Sequence, residues 1–495
     1  MSKDKVIIIG AGVSGLSAGI YAARSGFSVE IFEQHTIAGG FCSNWKRKGF
    51  YFEGGLHWLN GSSDKVPLHR VWKEVGALQD NNPIELRDPF ATLLTDTTSI
   101  KLWRNVHQLK AELLEKSPED KKMIVRLCND IKAFQGVHML VKDIPGLKVK
   151  NKSKVKFSEL LAMVPAAFRF FPLFFTSYTD YVAKFKNENL RKLLFSLVGS
   201  YYNALSFIFT LSSVSMNDSG FPLGGSLQMV QNMQNEFIRL GGKIHFSSQV
   251  RRICFENKKV VGIELKDGSI CSCSDVIITQ DAKIAVEKLF PKKITSKWVK
   301  NLEAKKLGSQ NIFIGMGIKG DFSHLPHTIV LPLEKELTLA GCNFSSLKLY
   351  NYSHYKDYAP EGCTTFTSIL LCQSYEYWKA AKEEGCYKEK KQEVFDAFIT
   401  AIQKAIPEIS AENLVVFDVA TPLTYERYCS SYKGSWMTVW EKGKKQTRIP
   451  QKMKEYQGVY FAGQRVLLSG GLPIAVSTGR KAVQYLCKDK NQLFV

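Results

Sequence analysis

Gly10, Gly12 and Gly15 follow directly on an apolar run at 6–9 in the pattern G-x-G-x-x-G. Glu33 stands 18 residues past Gly15, at the end of a second β-like run at 27–32. Helix formers with small side chains fill 16–24. Each piece has a physical use. Gly10 permits a tight strand-to-helix turn, Gly12 lets backbone approach a pyrophosphate, and Gly15 lets the helix lie close on the strand. The helix N-terminus offers free N–H groups and the positive end of its dipole to phosphates. A carboxylate at Glu33 accepts hydrogen bonds from a ribose diol and disfavours a 2′-phosphate. Strand, glycine turn, helix, second strand and acid in that order predict a dinucleotide site.

A second match, at Gly315, Gly317 and Gly320, follows another apolar stretch. Pro326 prevents a long helix there, and no acid ends a second strand at the right distance. A strand and turn are expected instead, and no separate nicotinamide domain is found.

Further glycine sets recur downstream. Ala38-Gly39-Gly40-Phe41 precedes Phe52-Glu53-Gly54-Gly55-Leu56-His57-Trp58. Near the C-terminus Tyr460-Phe461-Ala462-Gly463-Gln464-Arg465 precedes Gly470-Gly471-Leu472-Pro473-Ile474 and Ser477-Thr478-Gly479-Arg480. Pro473 suits the first turn of a helix. In the middle, Phe221-Pro222-Leu223-Gly224-Gly225-Ser226 opens an amphipathic stretch, with β-like runs at 245–250 and 260–264 beyond it.

Together these motifs resemble the phytoene desaturase and retinol saturase group of FAD-dependent oxidoreductases, over nearly the whole chain. The resemblance implies an α/β fold: an FAD-binding Rossmann-type domain, like those of glutathione reductase and amine oxidases, with an interleaved α+β substrate domain. The FAD-binding domain is expected to be discontinuous, at 1–95, 220–285 and 455–495, and the substrate domain to occupy 96–219 and 286–454. By the same resemblance Gly10, Gly12, Gly15, Glu33, Gly39, Gly40, Val250, Gly463, Gln464 and Ile474 contact FAD. His57 and Trp58 are expected near the flavin, either positioning substrate and delivering a proton or packing as an aromatic pair under the ring. Phe41 stands where many relatives carry a basic residue. The implied substrate is a hydrophobic polyene or isoprenoid, such as a carotenoid or retinoid, desaturated, saturated or isomerised at carbon–carbon bonds; the electron partner is not read from the sequence. A flavin amine oxidase and a non-catalytic lipid carrier, as in the Rab GDP-dissociation inhibitors, are the alternatives.

The remaining features are compositional. The chain has 495 residues, 45% apolar and 23% charged, which excludes disordered, collagen-like and coiled-coil classes. Lys+Arg exceed Asp+Glu by 67 − 46 = 21, which favours an anionic partner. Lys148, Lys150, Lys152, Lys154 and Lys156 alternate and share one side of an extended chain. Beside them, 157–209 holds fourteen aromatics, about twice the chain average of 12%. A peripheral contact with an anionic membrane fits this pairing; so does a core helix next to a solvated charge run. No nucleic-acid fold is recognised, and nucleic acid is not an expected partner. The eleven scattered cysteines contain no C-x-x-C, which suits reduced thiols and a cytoplasmic protein, peripheral on the cytoplasmic face of the membrane. His324 and His327 have no third ligand nearby, and no metal is expected.

Overall fold

The computed structural model describes residues 4–150, 161, 163–436, 439–444, 448–467 and 470–495. Short apolar runs build a five-stranded, wholly parallel sheet in the order Val459–Phe461, Asp275–Ile278, Lys5–Ile9, Ser28–Phe32, Lys243–His245. Such strands require cover on both faces, and the alternation along the first strand shows it. Val6 and Ile8 pack against the helices Val13–Arg24, Gly225–Arg239 and Gly471–Asp489. Ile7 and Ile9 face the three-stranded antiparallel sheet Val250–Glu256, Lys259–Leu265, Ile270–Ser272. Three distant chain segments therefore complete one cofactor lobe.

The second lobe is built on a seven-stranded mixed sheet, ordered Leu414–Ala420, Gln310–Lys319, Cys363–Cys372, Cys342–Asn351, Thr328–Leu339, Ala91–Leu94, Ser99–Leu102. The pairing Ile329 with Thr92 is parallel, and it places 91–94 in this sheet rather than in the cofactor lobe, where the sequence had put them. Four-residue strands carry little signal by themselves; Ala91–Leu94 pairs locally with Ser99–Leu102, but the strand that ties this hairpin into the sheet lies more than 200 residues away. Helices between Val106 and Ser215 cover one part of the sheet through Leu93 and Val330. Tyr375–Glu383 and Tyr387–Ala405 cover another.

Gly315 and Gly317 lie inside the strand Gln310–Lys319, as expected of a non-nucleotide match. A Cβ on Gly315 would stand 2.6 Å from the Phe52 ring, and one on Gly317 would stand 2.5 Å from the Phe50 ring. These glycines admit the hairpin of Asn44–Arg47 and Phe50–Glu53 onto the sheet and so fix the loop that follows it.

Candidate functional site

A groove of about 530 Å³ opens at the C-terminal ends of the parallel strands. Gly10, Gly12, Glu33, Gly39, Gly40, Val250, Gly463 and Gln464, all expected from sequence, line it. Gly15 lies beneath it: a Cβ there would be 1.9 Å from the Gly10 carbonyl oxygen, so only glycine lets the helix close on the turn. Ile474 does not line the groove. It is buried one position away, its carbonyl accepting from the Thr478 hydroxyl at 2.7 Å, while Leu472 and Ala475 of the same helix face the opening. The helical period decides which neighbour points out.

One end of the groove is made by two glycine turns in contact. Gly12 forms a parallel bridge with Gly39, and the Gly39 N–H donates to the Ala11 carbonyl at 3.0 Å. Gly39 has φ +123°, and a Cβ on it would meet the Cys42 carbonyl oxygen at 2.5 Å. The helix Val13–Arg24 begins at Gly12 with no side-chain cap. Its first-turn residues Val13 and Ser14 line the groove, where free N–H groups suit phosphate oxygens.

Glu33 is 7% exposed. Its Oε2 accepts from the Ala11 N–H at 2.7 Å and its Oε1 from the His35 N–H at 2.9 Å. Burial raises its pKa, and backbone N–H donors from His35, Ala11 and Gln34 oppose the rise. This carboxylate thus braces the glycine turn besides standing where a ribose would be read.

Phe41 makes no charge contact; it stacks on Tyr425, with centroids 5.7 Å apart and planes at 15°. Cations come from elsewhere. Arg251, Lys266, Lys288 and Arg465 line the groove against the acids Glu33 and Asp281. Asp281 was not found by sequence reasoning. It accepts from the Arg465 guanidinium and, at 2.9 Å, from the Tyr432 N–H, joining three distant segments at the groove wall. Thr478 was also missed; its hydroxyl accepts from the Gly463 N–H at 3.0 Å and pins the C-terminal turn to its helix. Thr478 stands beside Gly479 of a glycine motif, whereas no glycine motif adjoins Asp281. A two-ended groove with glycine turns, a helix N-terminus, a buried carboxylate and surplus cations fits an adenine dinucleotide with one pyrophosphate.

His57 and Trp58 are not in this groove and do not pair with each other. His57 is half-buried, its two ring nitrogens hidden from solvent, and it stacks on Tyr350 at 3.9 Å, with planes at 6°. Trp58 meets Phe90 edge-on at 5.5 Å. Both line a second, much smaller cavity. Adjacent residues in this loop point to different partners, which the sequence alone could not show.

Lys148 and Lys150 are exposed, and the extended backbone expected of them is present where Val149 bridges Phe494. Lys152, Lys154 and Lys156 lie outside the described residues. Among the described residues, no three His, Cys, Asp or Glu side chains are grouped to hold a metal, and no helix is long and apolar enough to cross a membrane.

The profile of flavin-containing amine oxidoreductases matches residues 13–487. The chain is 24% identical over 460 residues to prolycopene isomerase 2 of an Oncidium hybrid cultivar, covering 87% of this chain and 74% of that one. It is 25% identical over 475 residues to the all-trans-retinol 13,14-reductase of Danio rerio, covering 86% and 76%. In structure it resembles an oxidoreductase from Methanosarcina mazei, with a TM-score of 0.63 at 19% identity, covering 96% of this chain and 98% of the other. The groove, its glycine turns and these likenesses converge: this chain is an FAD-dependent oxidoreductase and belongs to the family of flavin-containing amine oxidoreductases.

Proposed function

We propose that this oxidoreductase acts on carbon–carbon bonds of a long hydrophobic polyene or isoprenoid at a membrane surface. The observation that carries the reading is the helix Val164–Phe175. Leu161, Val164, Phe168, Phe171 and Phe175 recur three or four residues apart and are all exposed, Phe168 at 84% and Phe171 at 66%. On the opposite side Ala166 and Leu173 are buried, and Arg169 is paired with Asp130. A five-residue apolar stripe in solvent needs a partner, and a lipid surface is one that covers it without shape complementarity. Charge agrees. The segment 439–444 borders this helix through Phe174 and Trp440, whose rings are 6.2 Å apart, and it carries exposed Lys442 and Lys444. The named relatives act on prolycopene and retinol, both polyenes, which supports the substrate class.

Bound FAD supplies two-electron redox chemistry, and the protein orients the substrate. The testing experiment is anaerobic. Oxidation of the photoreduced holoenzyme by a polyene identifies a saturase, and bleaching of the oxidised holoenzyme by a more saturated analogue identifies a desaturase. Geometric isomers formed without net change in the flavin spectrum identify an isomerase. Inertness to polyenes together with peroxide release from amines would replace the proposal with amine oxidation.

A further inference from the structure

The smaller cavity sits where the 54–61 loop meets the second sheet. His57, Glu85, Arg87, Arg104, Lys348 and Tyr350 contribute to its wall, and it holds about 10 Å³. That is room for one oxygen-sized group and too little for a phosphoryl group. Its wall carries three cations against one carboxylate.

The three cations are not equivalent. Arg104 is fully engaged: Nε donates to the Arg87 carbonyl at 2.8 Å, Nη1 to Val214 at 3.0 Å and Nη2 to Ser219 at 2.7 Å. Lys348 Nζ donates to the Ser196 carbonyl at 2.6 Å. These two supply charge. Arg87 is held but not satisfied. Its Nε donates to Glu85 at 3.2 Å and to the Tyr355 hydroxyl at 2.9 Å, and its Nη1 donates to the His57 carbonyl at 3.1 Å. Its guanidinium lies 3.9 Å from the centroid of the Phe221 ring. The remaining Nη2 is buried and has no acceptor in the protein, and both ring nitrogens of His57 are buried and unpartnered. Buried donors without acceptors are costly and are rare in folded proteins.

The field in the cavity is cationic. Glu85 is tied to Arg87 and accepts from the Tyr355 hydroxyl, while Asp88 and Asp218 act on Arg104. Burial, then Lys348, then Arg87 hold the His57 imidazole well below its ordinary pKa, so the ring is neutral and offers one N–H and one lone pair. The cavity is also close to the cofactor groove. A Cβ on Gly55 would stand 2.5 Å from the carbonyl oxygen of Phe41 and 2.7 Å from Cα of Cys42, both groove residues. His57 follows two residues later, at most about 7 Å of chain away.

Building on the polyene chemistry proposed above, we propose that this cavity is a recognition subsite that admits one oxygen of a carboxylate at the polar end of the substrate. Arg87 Nη2 is its charged donor and His57 its second contact. A conjugated chain offers many similar bonds, and anchoring one end selects which of them faces the flavin.

The test is a spectral titration of the holoenzyme with four probes: a conjugated polyene carboxylic acid, the corresponding alcohol, the corresponding hydrocarbon, and palmitate. The acid should bind at least about tenfold tighter than the hydrocarbon, the scale of one charge-assisted hydrogen bond. In Arg87→Met that preference should vanish while hydrocarbon affinity and FAD content hold. Should Arg87→Met lose FAD, His57→Phe carries the test: it keeps the stack on Tyr350, and the acid preference should fall about threefold for loss of the weaker, neutral contact. Equal binding of acid and hydrocarbon, a preference that survives Arg87→Met, or an alcohol that matches the acid overturns the subsite. Arg87-dependent binding of palmitate with no binding of any polyene keeps the carboxylate subsite and overturns the polyene reading. Binding of none of the probes overturns both.

Discussion

The carboxylate of Glu33 and the backbone N–H of Ala11 are joined by a 2.7 Å hydrogen bond across 22 residues, inside the glycine turn at the wall of the groove. One acid therefore shapes the turn and is placed to read the ribose. Glu33→Gln keeps one acceptor oxygen but loses the charge that attracts diol hydroxyls. FAD affinity should fall about tenfold or more, the scale of a charge-assisted bond, measured by ultrafiltration of the reconstituted protein.

The same residue gives FAD binding a pH dependence. Burial raises the pKa of Glu33 in the cofactor-free protein. Hydroxyl donors from the ribose favour the ionised form and lower that pKa on binding. Binding therefore releases a proton, and affinity should fall as pH drops from neutral through the raised value. In Glu33→Gln this part of the pH dependence should disappear.

Gly39 tests the phosphate cradle. Its φ of +123° is unfavourable for any side chain, and a Cβ would collide with the Cys42 carbonyl oxygen. Gly39→Ala should abolish FAD retention through purification and lower stability by about 1–3 kcal/mol. Full FAD occupancy in this variant would show that the turn is not needed.

A buried acid also ties the 54–61 loop to the cofactor lobe. Glu53, 0% exposed, accepts from the Ser226 N–H at 2.8 Å and from the Gly55 and Leu56 N–H groups at 3.1 Å. Burial raises its pKa, and those donors oppose the rise. Because the folded value lies above the unfolded one, its stabilising contribution is complete below the unfolded pKa and is lost as pH rises through the folded one. Glu53→Gln should remove that loss, so urea midpoints should fall less between mildly acidic and neutral pH than in the parent. An unchanged slope would show that Glu53 is not the group responsible. Ser226→Ala removes a donor to this carboxylate and should cost about 1.5–3 kcal/mol.

The exposed stripe predicts how the protein meets lipid. Phe168→Ser with Phe171→Ser should weaken partition onto anionic vesicles by at least about tenfold, since one inserted Phe side chain contributes roughly 1.5–3 kcal/mol. FAD content should be unchanged. Charge reversal of Lys148 and Lys150 should weaken the same binding, most at low salt, because screening already removes much of the attraction at high salt. Vesicle binding that ignores both changes would assign the stripe to another partner.

The groove was largely legible in the sequence because its geometry is local. A tight turn, a close backbone approach and a helix N-terminus are each produced within a few residues, so Gly10, Gly12, Gly39 and Gly463 announce themselves by type and spacing. The parallel sheet was legible for the same reason: strands buried on both faces must be apolar throughout. What the sequence left open depends on contacts between distant segments. Asp281 meets Arg465 across 184 residues, Ala91–Leu94 finds its parallel neighbour more than 200 residues on, and the helical phase puts Leu472 and Ala475 in the groove instead of Ile474. The aromatic stretch shows this dependence most plainly. Composition counted its rings, but packing buries Tyr178, Tyr181 and Phe207 and leaves Phe168 and Phe171 in solvent. Only the tertiary structure could separate His57 from Trp58 and set it against Tyr350 beside an unsatisfied guanidinium, because which side chains share a cavity is decided by chain crossings that no local spacing encodes.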